Sequence, residues 1–321
     1  MDGIPRSQNR LTSVPVRPIQ IPIAIGAMTT GVDRGAAAVE TTLRSRLADR
    51  DRTEILGRLQ ESQAIPVEPL ETPDMRRYPG AALELDAVAE ACELLGKAVS
   101  ASIGRGELAL TLGGDHSASI GSVAGAAMQC ERLAVIWIDA HADLNWPEVS
   151  PTGRLHGMSL SACLGIGPDR LTRLLGDAPK IRPEDVSLIG IRLLDPGEES
   201  YLREHDCHVI TMPDVDKAGI DVMVERVVRS IEDSDVDAVH VSFDVDSLDP
   251  LVMPGTGTQV RGGFTYREAS RILRLLRDSE LPIRSIDWVE LNPDLDPTGQ
   301  SADVAADLLG VALGEDVFRS G

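Results

Sequence analysis

Aromatic residues, cysteines and long apolar runs are all scarce in this sequence. Phenylalanine, tryptophan and tyrosine make up 3% of its 321 residues, so the core must be built from Ala, Val, Ile and Leu. No stretch approaches the roughly 20 consecutive apolar residues that a membrane-spanning helix requires. The four cysteines are widely separated and form no Cys-x-x-Cys pair. This spacing disfavours a disulfide framework and cysteine-ligated zinc, and it predicts free thiols in a reducing cytoplasm.

Basic residues are also in the minority. The 31 Lys and Arg residues face 51 Asp and Glu residues, which gives a formal net charge of −20. A nucleic-acid-binding surface is excluded because it needs a basic footprint, and docking on an anionic membrane is disfavoured for the same reason. A small cationic substrate or a bound metal cation fits the sign of the charge, although most surplus acids on proteins are simply solvated.

Short aliphatic runs alternate with longer segments in which apolar residues recur every three or four positions. This alternation predicts an α/β fold: a single domain with a central, mostly parallel β-sheet flanked by helices on both faces. The predicted strands are residues 19–25, 108–112, 133–138, 186–191, 208–211, 238–243 and 283–289. The predicted helices are residues 81–103, 117–130, 197–205, 219–233, 265–278 and 301–314.

The domain limits and helix starts follow from local composition. Residues 1–18 are polar and lack the apolar segment of a secretory signal, so we interpret them as a flexible N-terminal leader and residues 19–321 as one domain. Asp221, Ser301 and Thr265 are candidate helix N-caps, the last with a capping-box glutamate three residues on. No Gly-x-Gly-x-x-Gly motif follows the first strand, which disfavours a dinucleotide-dependent enzyme.

Three of the predicted strands are followed by loops rich in Asp and His. Since ligands of such sheets bind beyond the carboxyl ends of the strands, we expect these loops to meet at one edge. Side chains two positions apart in an extended segment point the same way and can converge on one point. The candidate ligands are His116, Asp139, His141, Asp143, Asp244 and Asp246.

Four carboxylates and two imidazoles form a set of mixed oxygen and nitrogen ligands. The set holds too much nitrogen for Ca²⁺ or Mg²⁺ and suits a first-row divalent ion, Mn²⁺ first, with Co²⁺, Ni²⁺ or Fe²⁺ as alternatives. Six ligands suffice for two ions if carboxylates bridge them, which predicts two-metal hydrolytic chemistry. Each motif alone also occurs as an ordinary turn or helix cap. The other histidines, His205, His208 and His240, are interpreted as surface or core residues, with a supporting role left open for His240.

The motifs GGDHS, DAHADLN and SFDVDSLDP resemble, in order and spacing, the metal-binding signatures of the ureohydrolase family, the arginases and agmatinases. The resemblance covers roughly residues 19–314. Within the family the chain is most similar to bacterial arginases, through the segments at 150–153, 156–158 and 195–198. The family fold is a single α/β domain with a parallel sheet.

The resemblance implies hydrolysis of L-arginine to L-ornithine and urea, by attack of a hydroxide that bridges two Mn²⁺ ions per subunit, with Co²⁺ or Ni²⁺ as substitutes. It assigns His116, Asp139, Asp143 and Asp244 to one ion, and Asp139, His141, Asp244 and Asp246 to the other. It further implies that His156 is an acid or proton shuttle, that Glu290 binds the guanidinium, and that Asp143 belongs to the catalytic set. Members of the family form homo-oligomers, trimers or hexamers.

The resemblance also implies substrate contacts. Asp195 and Glu198 match residues near the α-amine of arginine, Asn145 and Thr152 match groups that contact its carboxylate, and Thr258 matches a pocket threonine. The sequence departs from the pattern at Arg154, where arginases usually carry Asn, and at the bulky Trp146. Because arginine binds carboxylates in a bidentate way, Arg154 is expected among the substrate-binding residues. A solvent-facing Arg154, or preference for a different carboxylated guanidino compound, stays open.

Alternative functions share the same site. The nearest is the same chemistry on N-hydroxyarginine, 4-guanidinobutyrate, agmatine or formiminoglutamate. Asp195 and the predicted carboxylate-binding loop disfavour agmatine, which has no carboxylate. A more distant alternative is a non-catalytic binding protein stabilised by metal, which is disfavoured because His156 and Glu290 are not needed for structural metal binding.

Overall fold

The strands of this protein lie in one parallel sheet in the computed structural model, which describes residues 11–317. The strands are β1 Val16–Ile21, β2 Gln63–Ala64, β3 Leu108–Gly113, β4 Leu133–Ile138, β5 Val186–Ile191, β6 His208–Thr211, β7 Ala238–Asp244 and β8 Ile283–Val289. Within the described residues they form an eight-stranded sheet in the order β2-β1-β3-β8-β7-β4-β5-β6, and every pair is parallel. The predicted fold class is confirmed.

Helices cover both faces of the sheet. They are α1 Gly35–Asp49, α2 Thr53–Arg58, α3 Leu85–Gly104, α4 Ala118–Ala127, α5 Ser159–Cys163, α6 Asp169–Thr172, α7 Pro196–Glu204, α8 Met212–Ala218, α9 Ile220–Glu232, α10 Tyr266–Asp278 and α11 Gln300–Ala312. One hydrophobic cluster joins the sheet to α1, α9, α10 and α11, and a second joins it to α3, α4 and α5. Strand β4 shows the alternation: Ile136 and Ile138 pack in the first cluster, Val135 and Trp137 in the second. Burial on both faces explains the continuous apolar runs.

The first strand differs from its prediction. It ends at Ile21 rather than residue 25, because the chain turns there, with Ile23 N donating back to Ile21 O at 2.8 Å. Ile23 and Ile25 are buried although they lie outside the strand, which explains why the apolar run in the sequence continues to residue 25. The strand starts at Val16 and so takes in residues 16–18, which the sequence analysis assigned to the leader; residues 1–10 lie outside the described residues.

The other six predicted strands begin at the predicted residue and end within one residue of it. All six predicted helices are present, but α1, α2, α5, α6, α8 and the two-residue strand β2 were not predicted. Helix α1 carries a readable signal, since its buried residues Val39, Leu43 and Leu47 are spaced four apart. Strand β2 carries none, because both of its residues are exposed.

One of the three proposed N-caps is confirmed. Thr265 caps α10 in a capping box, accepting from the backbone N of Glu268 at 3.3 Å. Asp221 and Ser301 instead lie inside the first turns of α9 and α11. The side chain of Asp221 pairs with Arg271 at 2.7 Å. That of Ser301 donates to Asp296 Oδ2, in the preceding loop, at 2.7 Å.

Two further findings bear on the expectations from composition. Among residues 11–317, no helix is long and apolar enough to cross a membrane. All four cysteines are free thiols, two of them buried and two partly exposed.

Candidate metal centre

The loops that follow β3, β4, β7 and β8 meet at one edge of the sheet, where these four strands are neighbours. His116 lies just beyond β3, and Asp139 directly follows β4. Asp244 ends β7, and Glu290 directly follows β8. All four residues are buried. The carboxyl ends of the central strands therefore bring the predicted residues together, as the parallel fold requires.

The imidazole of His116 stands at the centre of three carboxylates. Its Nδ1 lies 3.1 Å from Asp139 Oδ2, 3.0 Å from Asp143 Oδ2 and 3.0 Å from Asp244 Oδ2. On the other side of Asp139, His141 Nδ1 lies 3.5 Å from Asp139 Oδ1 and 3.0 Å from Asp246 Oδ2. All six predicted metal ligands are thus adjacent.

Two overlapping groups of these residues have the spacing of a metal site. The ligand atoms of His116, Asp139 and Asp244 all lie within 4.8 Å of one another, and so do those of Asp139, His141 and Asp246. Asp139 belongs to both groups, with one oxygen toward each histidine. A shared carboxylate between two ligand groups fits a binuclear metal site.

The charge of the cluster also fits bound cations. Among residues 11–317, no lysine or arginine side chain pairs with the four aspartates. Burial raises the pKa of Asp244 well above its ordinary value, and the charges of Asp246 and Asp139 raise it further. Burial likewise raises the pKa of Asp246 to about 6, with the charge of Asp139 adding to the effect. Divalent ions would supply the missing positive charge, and mixed imidazole and carboxylate ligands suit first-row metals.

Two residues of this site have a backbone conformation that is rare outside glycine. Asp143 has φ 50° and Glu290 has φ 67°, both in the left-handed region. Such residues persist only where the surroundings hold them, and they concentrate at functional sites. Leu160 N and Ser161 N bond to the carbonyl of Asp143, and Glu290 N donates to Gly114 O at 2.8 Å. The backbone therefore fixes the direction of both carboxylates.

The buried Glu290 and the partly buried His156 form a pair beside the metal centre. His156 Nδ1 lies 3.0 Å from Glu290 Oε1, and the same oxygen accepts from the backbone N of His116 at 2.8 Å. Burial raises the pKa of Glu290, but its contacts with His156 and His116 outweigh this and lower the pKa overall. Burial lowers the pKa of His156, but the Glu290 carboxylate outweighs this and raises it. Each member of the pair therefore stabilises the charged form of the other.

The predicted substrate-side residues surround the start of α7. Asn145 Nδ2 donates to Asp195 Oδ2 at 2.9 Å, and Asn145 Oδ1 is buried without a hydrogen-bond partner among the described residues. Glu198 accepts from Leu144 N at 2.9 Å and from Asp195 N at 2.8 Å, which joins the helix start to the loop after β4. Burial raises the pKa of Glu198 to about 7.

The remaining predicted contacts have partners of different kinds. Thr258 donates to Asp246 Oδ2 at 2.8 Å, so it touches a candidate ligand directly. Thr152 Oγ1 accepts from Arg154 N at 3.3 Å. The Arg154 guanidinium contacts the carbonyl of Asp74 at 3.1 Å and is thus engaged by a distant segment of the chain.

Two residues that the sequence analysis missed contact the ligands. The Trp137 ring stacks on His116 with a centroid distance of 4.2 Å, and its Nε1 donates to Asp139 Oδ2 at 3.0 Å. Ser242 Oγ lies 2.8 Å from His116 Nε2. A signal was available, since each lies two positions before a predicted ligand and so shares its face of the strand.

His240 lies in the core, as expected, while His205 and His208 are exposed. The Nε2 of His240 lies 3.0 Å from Asp287 Oδ2, and that oxygen also accepts from Ser119 Oγ at 2.8 Å. Ser119 Oγ in turn lies 3.2 Å from the Oγ of Ser242, the serine that contacts His116. A buried chain of hydrogen bonds thus runs from His240 to the metal centre.

Comparisons with known proteins match nearly the whole chain. The model of the arginase family matches residues 18–314. An arginase from Bacillus caldovelox is 41% identical over 306 residues, which is 95% of this chain and 99% of that protein. An arginase from Bacillus subtilis is 38% identical over 303 residues, which is 94% of this chain and 98% of that protein.

Solved structures of arginases are similar to this chain over nearly its whole length as well. The native structure of the Bacillus caldovelox arginase has a TM-score of 0.86 at 39% identity and covers 95% of this chain and 100% of its own. An Entamoeba histolytica arginase in complex with L-ornithine has a TM-score of 0.83 at 27% identity, with the same coverage of both chains, 95% and 100%. A formimidoylglutamase from Bacillus subtilis is 22% identical with a TM-score of 0.72, covering 94% of this chain and 87% of its own, and it shares the fold alone.

Proposed function

This chain belongs to the arginase family, and on that premise we propose that it hydrolyses L-arginine to L-ornithine and urea with two manganese ions in its active site. The observation that carries the proposal is the position of Glu290, whose Oε1 accepts from both the backbone of His116 and the ring of His156. A metal held for structure alone would need neither contact. The metal ligands, an anionic group for a guanidinium and a proton donor are therefore adjacent in one site.

The roles of the residues follow from charge and geometry. Divalent ions, when bound, supply the nucleophile, since they lower the pKa of water toward neutrality. Glu290 is ionised and buried, so it can pair with the guanidinium and orient its carbon. His156, whose pKa is raised by the Glu290 carboxylate, can give a proton to the departing amine, a contribution of about 10²–10⁴ in rate for a general acid.

The other end of the substrate is proposed to contact the group around α7. Asp195 offers a carboxylate to the α-ammonium, and Glu198 supports it through the Asp195 backbone. Asn145 and Thr152 face the α-carboxylate in this proposal. Asn145 uses one amide hydrogen on Asp195, and its second N–H remains available as a donor. Thr258 steadies the ligand Asp246 beside this pocket.

The test is urea release by the manganese-loaded protein from arginine, N-hydroxyarginine, 4-guanidinobutyrate and agmatine, with hydrolysis of formiminoglutamate followed by its own products. We expect the highest kcat/KM with arginine. A preference for agmatine would overturn the assignment of the carboxylate pocket, and no turnover of any of these compounds would favour a non-catalytic protein. A His156→Asn variant is expected to lose activity while it keeps its metal.

Metal identity and assembly are proposed separately. Metal analysis is expected to find two Mn²⁺ per chain, replaceable by Co²⁺ or Ni²⁺, held by the two ligand groups that share Asp139. Family resemblance supports a trimer or hexamer of single-domain subunits, which analytical ultracentrifugation tests. The four free thiols support a cytoplasmic location.

A further inference from the structure

An irregular segment before α3 crosses the loop that carries Thr152. We name residues 74–83 the rim segment and residues 150–154 the substrate loop. Tyr78 N donates to Thr152 O at 3.0 Å, and Leu83 N donates to Gly153 O at 2.8 Å. Helix α3 begins at Leu85 rather than at the predicted residue 81, because the residues before it form turns, with Ala81 N donating to Tyr78 O at 3.1 Å and Glu84 at φ 55°.

The two segments approach so closely that the substrate loop requires glycine. Gly153 has φ +74°, in the left-handed region, and a Cβ at this position would lie 2.6 Å from Tyr78 O. The loop is also braced from inside, since Ser150 Oγ accepts from Gly153 N at 2.9 Å. The position of Thr152 therefore depends on where the rim segment lies.

Arg154 forms a third link between the segments. Its Nη2 donates to Asp74 O at 3.1 Å and lies 3.7 Å from Met75 Sδ. The acceptor is itself held in place, because the Asp74 carboxylate accepts from the Arg76 guanidinium and, at 2.7 Å, from the Tyr78 hydroxyl. Asp74 N also donates to Met28 O at 3.3 Å. Arg154 thus joins the substrate loop to a fixed point of the rim segment.

The same residue acts on Thr152 directly. The backbone N of Arg154 donates to Thr152 Oγ1 at 3.3 Å, and His156 follows two residues later. The Arg154 Nε is buried with no partner among the described residues. The Nη2 end of the guanidinium is therefore held by the backbone of the rim segment.

We propose that Arg154 is a positioning residue for substrate specificity, which fastens the rim segment to the substrate loop and so fixes Thr152 without binding the substrate carboxylate itself. The inference rests on the proposed function, because Thr152 matters here as a contact of that carboxylate. It replaces the expectation that Arg154 binds substrate directly. The chemistry at the metal centre does not depend on it.

The test compares Arg154→Gln and Arg154→Lys in the metal-loaded enzyme. Arg77→Gln is the matched control, since Arg77 is an exposed arginine of the rim segment with no hydrogen bond or ion pair among the described residues. Loss of one charge-assisted hydrogen bond to the rim segment, which is not part of the metal centre, predicts a rise in KM for arginine of about three- to tenfold in R154Q, with kcat changed less than about twofold. Amide hydrogen exchange of the rim segment, residues 74–83, followed by mass spectrometry, is expected to rise about tenfold.

The lysine variant can still reach a carbonyl and should recover part of both effects, while R77Q should leave both unchanged. A higher KM without faster exchange would show direct binding of the substrate and overturn the proposal. Faster exchange without a higher KM would overturn it too, since the link would then have no bearing on specificity. Should R154Q not fold, R154K decides by the same two readouts. If the wild-type enzyme releases no urea, the proposed function fails, and this inference fails with it even where exchange shows that the link exists.

Discussion

Two buried acids at the amino ends of the strands pair with arginines, whereas the four aspartates of the metal centre at the carboxyl ends lie against histidines and one another. Before β3, Glu107 accepts from Arg17 at 2.9 Å and from Arg105 at 2.8 Å. Before β5, Asp185 accepts from Arg132 at 2.8 Å. Each of these acids has a cation supplied by the chain itself.

The carboxyl ends have no such partners among the described residues. Arg192, the arginine that follows β5, donates to backbone carbonyls, including Asp246 O at 2.7 Å and Val260 O at 2.9 Å. It leaves the carboxylates of the metal centre unpaired. Buried charges need compensation. The acids at the amino ends receive it from arginines of the chain, whereas the arrangement at the carboxyl ends suits compensation by a bound cation.

The largest effect that would test this contrast comes from removing one ligand. Asp244→Asn keeps the shape of the side chain but loses its charge, so we expect kcat to fall at least about a thousandfold, because such sites act mainly by electrostatics. Metal content should fall below two ions per chain. The matched control at the other edge is Asp185→Asn, which should leave kcat and metal content unchanged at pH 7. Full metal content in Asp244→Asn would contradict the ligand assignment.

Metal removal should have the next largest effect. An ion present at a thousand times its Kd contributes about 4 kcal/mol to the free energy of unfolding, and its removal leaves four aspartates facing one another. Dialysis against a chelator should therefore lower the unfolding temperature measured by calorimetry, and added Mn²⁺ should restore it. The same treatment of Asp244→Asn should produce a smaller drop. An equal drop in both proteins would mean that the stabilising ion binds elsewhere.

The smallest expected effect concerns Glu107, at the amino ends of the strands. Arg17, then Arg105 and Ser102, lower the pKa of Glu107 to about 2 against the opposing effect of burial. A lowered pKa means that this stabilisation is present above about pH 4.5 and is lost as the pH falls toward 2. Glu107→Gln should therefore cost about 1–3 kcal/mol in the free energy of unfolding at pH 7, measured by urea denaturation. The difference from wild type should shrink below pH 4.5, with kcat at pH 7 unaffected. A difference that stays constant with pH would rule out an ionic role for Glu107.

The metal centre at the carboxyl ends of the strands could be predicted from the sequence because its position depends on regular features of the fold. Strand ends are marked by apolar runs, and the loops that follow neighbouring parallel strands meet at one edge. Asp139, His141 and Asp143 converge there through a bend in which Asp143 has φ 50°, and not through the extended segment that the spacing predicts. Trp137 and Ser242 lie within the strands, where the side-chain period of two places each on the face of the ligand two positions on, so both could have been predicted. The bond between Arg154 and Asp74 could not, because it joins residues 80 positions apart through a segment with no periodic pattern.

The end of β1 was mispredicted for a related reason. Burial alone does not distinguish a strand from a buried loop, and Ile23 and Ile25 are buried in a loop. Pro22 gives no decisive signal, since Pro18 also lacks an N–H and yet lies inside β1.

The left-handed backbone at Asp143 and Glu290 sets a conflict between thermostability and activity. A non-glycine residue in this conformation costs on the order of 1–3 kcal/mol, and glycine would relieve that cost at either position. Glycine would also delete a candidate ligand at position 143 and, at position 290, the carboxylate that accepts from His116 N and pairs with His156. The strain at these two positions is therefore retained together with the groups that the proposed function needs, and engineering of a more robust variant should hold both positions constant and seek its gains elsewhere.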